Sequence, residues 1–107
     1  MELSPDERLA IADLARDLRG RFAATEVRLF GSAATGTLEA ESDIDVFVVV
    51  PALTWPTEQA ICDRCYEATL ACGRLVTPSV FSVGELTDTP LRASPFVRSV
   101  KREGVLL

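Results

Sequence analysis

Two short motifs in the first half of the chain carry residue types that could bind phosphate and a metal ion. Gly31-Ser32 directly follows a short apolar run, and Asp43 and Asp45 stand at the head of a longer one. Residues i and i+2 of a strand project from the same face, with Cβ atoms about 6.5–7 Å apart. Two carboxylates placed in this way repel each other and are costly to desolvate without a counter-charge. A divalent cation held by both aspartates would remove that conflict.

Mg²⁺ suits the aspartate pair, because it binds one or two protein carboxylates and completes its octahedron with water and substrate phosphates. Gly31 lets the backbone turn sharply and lets a ligand approach it closely. If Ser32 begins a helical turn, its N–H groups and hydroxyl would form an anion site. Each motif alone also fits a simpler interpretation: a turn capped by Ser32, and aspartates solvated at an exposed strand end. Together they favour a site for a nucleoside triphosphate and its metal.

The elements that position these motifs follow from apolar periodicity and capping signals. A first helix begins at Pro5, with Ser4 and Glu7 as a capping box, and Gly20 is expected to stop it. Strands are predicted at 26–30, 43–50 and 75–82, a short helical turn at 32–35, and helices at 56–72 and from 95 to about 102. Pro78 implies that the third strand lies at a sheet edge or contains a bulge.

Helices alternating with strands predict an α/β or α+β fold in which helices cover a small sheet. A length of 107 residues indicates one domain, spanning residues 1–107. The net charge of −5 argues against a broad nucleic-acid-binding or anionic-membrane-binding surface. No signal-peptide pattern and no run of about 20 apolar residues is present. Three cysteines without histidine fit a reducing cytoplasm.

The segment "LFGSAATGTLEAESDIDVFVVV", residues 29–50, resembles the signature of the DNA polymerase β-like nucleotidyltransferases, and most closely their short stand-alone members, the minimal nucleotidyltransferases. The order of elements and the tail "REGVLL" extend the likeness. The resemblance implies a small mixed sheet backed by helices. It also implies that Gly31 and Ser32 contact the triphosphate, that Asp43 and Asp45 are catalytic and hold Mg²⁺ or Mn²⁺, and that Ser42 fixes the loop that presents them at the nucleotide.

The chain departs from that family in one respect. Active members add a third carboxylate from a later strand, but residues 75–81 contain no acid, and Thr77 or Ser79 would occupy its place. Glu41 shares the parity of Asp43 and Asp45 and is a candidate substitute. Glu67 and Glu85 are more remote candidates, and a solvated loop glutamate is the simpler interpretation of Glu41.

Two functions therefore stay open. The first is a metal-dependent nucleotidyltransferase that moves a nucleoside monophosphate, with ATP as the expected donor, onto a hydroxyl of a partner chain. The resemblance implies that this partner is a helical HEPN-type toxin for which this chain is the antitoxin. The alternative is a degenerate module that binds nucleotide or partner without catalysis, as the missing carboxylate indicates.

Three other features call for an interpretation. Cys62-x-x-Cys65 has only Cys72 as a further ligand, so packing is favoured over a zinc or redox site. Trp55 is expected to be a partly buried anchor. The C-terminal segment is basic and is interpreted either as a solvated helix face or as a site for phosphate or an acidic partner; its cations are Arg92, Arg98, Lys101 and Arg102. Arg28 could flank the site.

Overall fold

The chain folds into a sheet with helices on both faces, as a computed structural model shows for residues 2–107. Within that range the strands are β1 (Glu26–Phe30), β2 (Ile44–Val50), β3 (Val76–Ser82) and β4 (Val105–Leu106). The helices are α1 (Pro5–Phe22), α2 (Ser32–Thr35), α3 (Trp55–Cys72), α4 (Val83–Asp88) and α5 (Pro95–Glu103), with a 3₁₀ turn at Pro90–Ala93. The strand order is β3-β2-β1-β4, with β2 parallel to β3 and β1 antiparallel to both β2 and β4. This mixed sheet confirms the predicted α+β class.

Strand β2 is the structural centre because both of its faces are covered. The even-numbered residues of Ile44–Val50 pack into the main core with α1 and α3. Phe47 and Val49 point to the other face, where they contact Val100 of α5. Burying a side chain of this kind contributes about 1.5–3 kcal/mol, so the strand is fixed in register by its apolar residues. Alternation along the strand places Asp45 on the α5 face.

Helix α1 extends beyond the stop that Gly20 was expected to impose. Gly20 lies on an exposed surface, and a glycine inside a helix costs only about 1 kcal/mol. Phe22 continues the buried stripe four residues after Leu18 and packs against the main core, which favours another half-turn. Ala23 ends the helix in the left-handed conformation, with a φ of 55°, and its N–H donates to the Leu18 carbonyl.

The other predicted helices agree closely with the structure. Thr54 caps α3 by accepting a hydrogen bond from the Thr57 N–H, and Gly73 ends this helix with a φ of 78°. Helix α5 follows Ser94 and is one residue longer than predicted. Helix α4 and the 3₁₀ turn were not predicted, although Ser82 and Glu85 form the capping box that could have indicated α4.

Strand β3 lies at the sheet edge, as Pro78 predicted. The Leu75 carbonyl accepts a bond from Ile44 across the parallel pair, whereas the N–H of Val76 turns away and donates to Thr69 Oγ1 at 2.9 Å. Pro78 lies two residues further along and has the same orientation as Val76, so its missing N–H faces outward. No backbone hydrogen bond between β2 and β3 is therefore lost at Pro78.

Between residues 2 and 107, no helix combines the length and the apolar character that a membrane crossing requires.

Candidate functional site

The two predicted motifs meet at one end of the sheet. Phe30, the last residue of β1, pairs with Asp45 near the start of β2, so Gly31 follows immediately beside that carboxylate. A Cβ added to Gly31 would lie 2.8 Å from Asp45 Oδ2. Gly31 also has a φ of 68°, a backbone conformation that side-chain-bearing residues rarely adopt. Only glycine fits this position without strain.

Asp45 is a carboxylate whose ionisation is disfavoured by its surroundings. Burial raises the pKa of Asp45, and the nearby charge of Asp43 raises it further. Asp45 is half-buried, while Asp43 lies one residue before β2 and is exposed. A site that disfavours the charge of an acidic side chain stands to gain from a bound cation.

Ser32 begins α2 directly after Gly31, whose backbone lies beside Asp45. Its side chain is half-buried, and within residues 2–107 its hydroxyl has no hydrogen-bond partner. The Gly31 carbonyl accepts bonds from the N–H groups of Ala34 and Thr35 at 3.1 and 3.2 Å. The first turn of α2 is therefore formed, and the Ser32 hydroxyl is available to a ligand.

Ser42 braces the loop between α2 and β2. Its hydroxyl accepts a 2.9 Å bond from the Glu39 N–H, and its own N–H donates to the Glu39 carbonyl at 3.1 Å. Leu38 anchors the same loop in the main core with only 1% of its surface exposed. The loop that leads to Asp43 is thus held from inside by an apolar side chain and from outside by a tight turn.

Arg74 is a further support for this loop that the sequence interpretation missed. Its Nη1 donates to the carbonyls of Glu39 and Ser42, each at 2.8 Å, and makes a longer 3.4 Å bond to that of Ala40. Its Nε donates to Glu7 Oε2 at 2.6 Å. Glu7 also accepts from the Ser4 N–H, and the Arg74 hydrogen bond is the main reason why the pKa of Glu7 is lowered.

Thr77 and Ser79, the two residues predicted to stand where a third carboxylate is expected, both lie on β3 beside β2. In the parallel β2–β3 pair, Thr77 lies opposite Asp45 and Ser79 lies opposite Phe47, so both hydroxyls share the face of Asp45. Among residues 2–107, no three His, Cys, Asp or Glu side chains are grouped so that they could hold a metal. The pair formed by Asp43 and Asp45 has no third carboxylate beside it.

None of the three suggested substitutes fills that gap. Glu41 is exposed and borders a cavity of about 280 Å³ together with Asp43, but Asp45 is absent from its lining. Glu67 lies on α3, which covers the opposite face of the sheet, with its Oε2 atom 3.9 Å from Arg64 Nε. Glu85 accepts a 3.0 Å bond from the Ser82 N–H in the α4 capping box.

Lys101 of the basic C-terminal segment lies at the end of β1 remote from Gly31, whereas Arg102 Nη2 lies 3.7 Å from Glu103, which lines a cavity together with Gly31. Lys101 Nζ contacts Glu26 Oε1 at 3.1 Å, and Arg28 Nε donates to Glu26 Oε2 at 2.7 Å. Glu26 begins β1 and lies about 13 Å along the strand from Phe30. Arg28 is therefore directed away from the aspartates. A separate cavity of about 410 Å³ is lined by Leu86, Arg92, Val97, Arg98, Lys101 and Arg102.

The cysteines and the tryptophan depart in part from expectation. Cys65 is buried and burial raises the pKa of its thiol to about 12, which fits the predicted packing role. Cys62 is exposed, so it does not pack, because Ile61 and Cys65 define the face of α3 that meets the core. The expectation of a partly buried Trp55 is wrong: 73% of its surface is exposed at the first residue of α3.

Comparison with known proteins identifies the family. The profile of the nucleotidyltransferase domain matches residues 11–68, which is more than half of the chain and includes both motifs. The chain belongs to the nucleotidyltransferase domain family. Among curated proteins, no match to this nucleotidyltransferase was found.

A solved structure shows the same fold. The crystal structure of a toxin–antitoxin with AMP-PNP matches this nucleotidyltransferase with a TM-score of 0.59 and 23% identity, over 94% of this chain and 71% of that chain. A Sulfolobus solfataricus protein described as a candidate nucleotidyltransferase matches at 22% identity with a TM-score of 0.44, over 97% of this chain and 87% of that chain. The first likeness confirms the nucleotidyltransferase fold.

Proposed function

We propose that residues 1–107 form one cytoplasmic nucleotidyltransferase domain that binds a nucleoside triphosphate with Mg²⁺ or Mn²⁺ and transfers a nucleoside monophosphate to a hydroxyl on a partner protein. The observation that carries this proposal is the contact between Gly31 and Asp45. A bare glycine backbone, a free serine hydroxyl and a carboxylate pair meet at one sheet end. That combination suits a phosphorylated ligand together with a cation.

Each residue of the site has a distinct role. Gly31 allows phosphate oxygens to approach the backbone, and Ser32 donates its hydroxyl to them. Asp43 and Asp45 would hold the metal, and the donor set fits, because Mg²⁺ takes one or two protein carboxylates and completes its shell with phosphates and water. Burial, and after it the charge of Asp43, raises the pKa of Asp45, so a bound cation would favour the ionised carboxylate. Ser42 keeps the loop in place.

The reaction would be an in-line displacement at the α-phosphorus. The acceptor hydroxyl gives its proton to water, its oxygen forms a bond to the α-phosphorus, the bond from that phosphorus to the oxygen bridging to the β-phosphate breaks, and pyrophosphate leaves. A bound metal would stabilise the charge on the attacking and leaving oxygens. Gly31 and Ser32 would hold the departing phosphates in line.

The partner is proposed to be a HEPN-type toxin for which this chain acts as the antitoxin. The structural likeness to a toxin–antitoxin with AMP-PNP supports both the context and the choice of ATP as donor. Within residues 2–107 one sheet and its helices account for all the elements, and no separate acceptor-binding domain is among them. A second chain would present the hydroxyl.

A second candidate function is favoured by Thr77. A neutral hydroxyl opposite Asp45 is a poor proton acceptor, so the domain could bind nucleotide and partner without transfer. In that case Asp43 and Asp45 would serve metal binding alone.

Label transfer from α-labelled ATP separates the two functions. The protein is incubated with Mg²⁺, with and without the product of the adjacent gene, and both chains are examined for label. Transfer that disappears in Asp43→Asn and Asp45→Asn supports the enzyme. If no label is transferred while the wild type and both variants bind the partner equally, the transferase proposal is refuted.

Thr77→Asp tests directly whether the missing third carboxylate limits transfer. It places a carboxylate opposite Asp45 on the same face, whereas Ser79→Asp places one opposite Phe47 and serves as the matched control. We expect Thr77→Asp to raise the rate of transfer, because a third carboxylate supplies both a metal ligand and a proton acceptor. An increase of the same size in Ser79→Asp would contradict that explanation.

Thermal unfolding is the first measurement to make. ATP with Mg²⁺ at about ten times its dissociation constant should stabilise the fold by about 1.4 kcal/mol. In a domain of this size, that corresponds to a rise in Tm of roughly 5 °C or more. The absence of any shift at millimolar ATP and Mg²⁺ would count against both functions.

A further inference from the structure

Helix α3 carries a large apolar surface that no part of the described chain covers. Trp55, Tyr66 and Leu70 are 73, 62 and 68% exposed, although residues of these types usually bury much of their surface. Cys62 is exposed beside them. Isolated exposed apolar residues need no explanation, but a contiguous row of them marks an interaction site.

The four side chains form one stripe. At 100° per residue, positions 55, 62, 66 and 70 fall within about 80° of the helix circumference. The residues that face the core are Ile61, Cys65 and Ala68, and their direction is about 130° away. The stripe, defined as Trp55, Cys62, Tyr66 and Leu70, spans 16 residues, or 15 steps of the helical rise, and is therefore about 22 Å long. Helix α3 thus has two apolar faces, only one of which is used within the fold.

The spacing of the stripe matches a helix rather than a strand as its partner. Steps of seven, four and four residues repeat the side-chain spacing by which one helix packs against another. A partner helix of about three heptads would cover the full length of the stripe.

Acidic side chains flank the stripe on both sides. Glu58 lies on one side, and Asp63 and Glu67 lie on the other. The one cation of α3 is Arg64, which donates to Asp17 of α1 at 2.6 Å and lies 3.9 Å from Glu67, so it offsets part of the charge of Glu67 but not that of Glu58. The surface is therefore mostly apolar along its centre, where Gln59 is the one polar residue between Trp55 and Cys62, and negative along its margins.

We propose that this stripe binds an amphipathic helix of another protein that carries Lys or Arg on either side of an apolar seam. A second copy of this chain is the less suitable occupant. Two α3 helices paired antiparallel through Cys62 and Asp63 would place Asp63 of each copy beside Asp63 of the other at one edge of the contact, and like charges at that distance repel. The stripe lies on the helix layer opposite Asp45, so the proposal does not depend on nucleotide chemistry.

Trp55 provides the readout, because it is the only tryptophan in the chain. Two synthetic peptides of about 21 residues serve as probes, both with the same leucine seam, one flanked by lysine and the other by glutamate. We expect the lysine peptide to shift Trp55 emission to shorter wavelength and to protect it from acrylamide. The glutamate peptide should do neither, and added salt should weaken the lysine complex.

Variants test the position of the surface and its charge. Tyr66→Ser and Leu70→Ser should each weaken binding at least about tenfold, because exposed aromatic and aliphatic anchors dominate such interfaces. Leu9→Ser is the matched control: Leu9 is 63% exposed on α1, and its replacement should change affinity less than about twofold. Glu58→Lys combined with Glu67→Lys should reverse the preference toward the glutamate peptide.

Three results would overturn the proposal. They are equal binding of both peptides, no response of Trp55 to the lysine peptide, and a dimer of the chain alone in which Trp55 is already shielded. Far-UV circular dichroism establishes that each variant is folded before its affinity is compared.

Discussion

Substitutions at Arg74 and Glu7 should separate the stability of the fold from the affinity of the candidate site for nucleotide. Its Nε contacts Glu7, and its Nη1 contacts the backbone of the loop that leads to Asp43. Two substitutions separate these contacts. Glu7→Gln removes the ion pair and leaves the bonds to the loop, whereas Arg74→Lys keeps a positive charge near Glu7 and loses the forked geometry that reaches several carbonyls at once.

The expected cost follows from burial and from the number of bonds lost. The side chains of Arg74 and Glu7 are 13% and 11% exposed. Removing one partner of a fully buried pair costs about 3–5 kcal/mol, and partial access to water reduces that figure. We therefore expect Arg74→Ala to destabilise the fold by about 3 kcal/mol, which lowers the Tm by roughly 12–20 °C.

The assay compares stability with nucleotide binding, and its interpretation rests on the proposed function. Unfolding by urea gives the stability of each variant, and a titration with ATP and Mg²⁺ well below the Tm gives its affinity. Glu7→Gln and Arg74→Lys should both be less stable than the wild type. Only Arg74→Lys should also lose about tenfold in affinity, because only that change frees the loop before Asp43. Equal affinities in the two variants would refute the argument that Arg74 positions the loop.

Three further changes have defined outcomes. The folded-state pKa of Glu7 is lowered from its ordinary value of 4.5, so the Glu7 carboxylate stabilises the fold at pH values above 4.5. This contribution is lost as the pH falls through the folded-state pKa. The free energy of unfolding in urea should therefore change less with pH in Glu7→Gln than in the wild type. Because the pKa of Asp45 is raised, Asp45→Asn should increase the Tm of the ligand-free protein at pH 7 while abolishing stabilisation by ATP and Mg²⁺. Gly31→Ala should cost about 1–3 kcal/mol in urea unfolding, since its Cβ meets Asp45 at a positive φ, and nucleotide binding should fall as well.

The sequence was most informative where local signals and periodicity agree. The nearly continuous run of apolar, mostly β-branched residues predicted β2, and apolar periodicity with capping signals predicted α3 nearly to the residue. Helix α4 was missed because six residues are too few to show helical periodicity, although its capping box is visible in the sequence. The end of α1 was misplaced because Phe22 gains more from burial than Gly20 costs in the helix.

Within the candidate site, a contact could be predicted where both of its residues belong to one sequence motif. Gly31 and Asp45 meet as their spacing indicated, because β1 and β2 are neighbours in sequence and in the sheet. Arg74 could not be found in this way, since Glu7 precedes it by 67 residues and no local pattern links them. The exposure of Trp55 could not be predicted either, because the sequence does not reveal which of the two apolar faces of a helix packs against the core.

The edge position of β3 has a consequence for how the protein behaves at high concentration. Seven residues without a charge, Val76–Ser82, would normally invite another chain to add a strand. The outward-facing N–H groups are those of every second residue, and most of them are withheld: Val76 donates to Thr69, Pro78 has none, and Ser82 donates to Glu85. Within residues 2–107, Val80 alone still offers a donor at this edge. The fold thereby resists intermolecular sheet extension without placing a charge near Asp45.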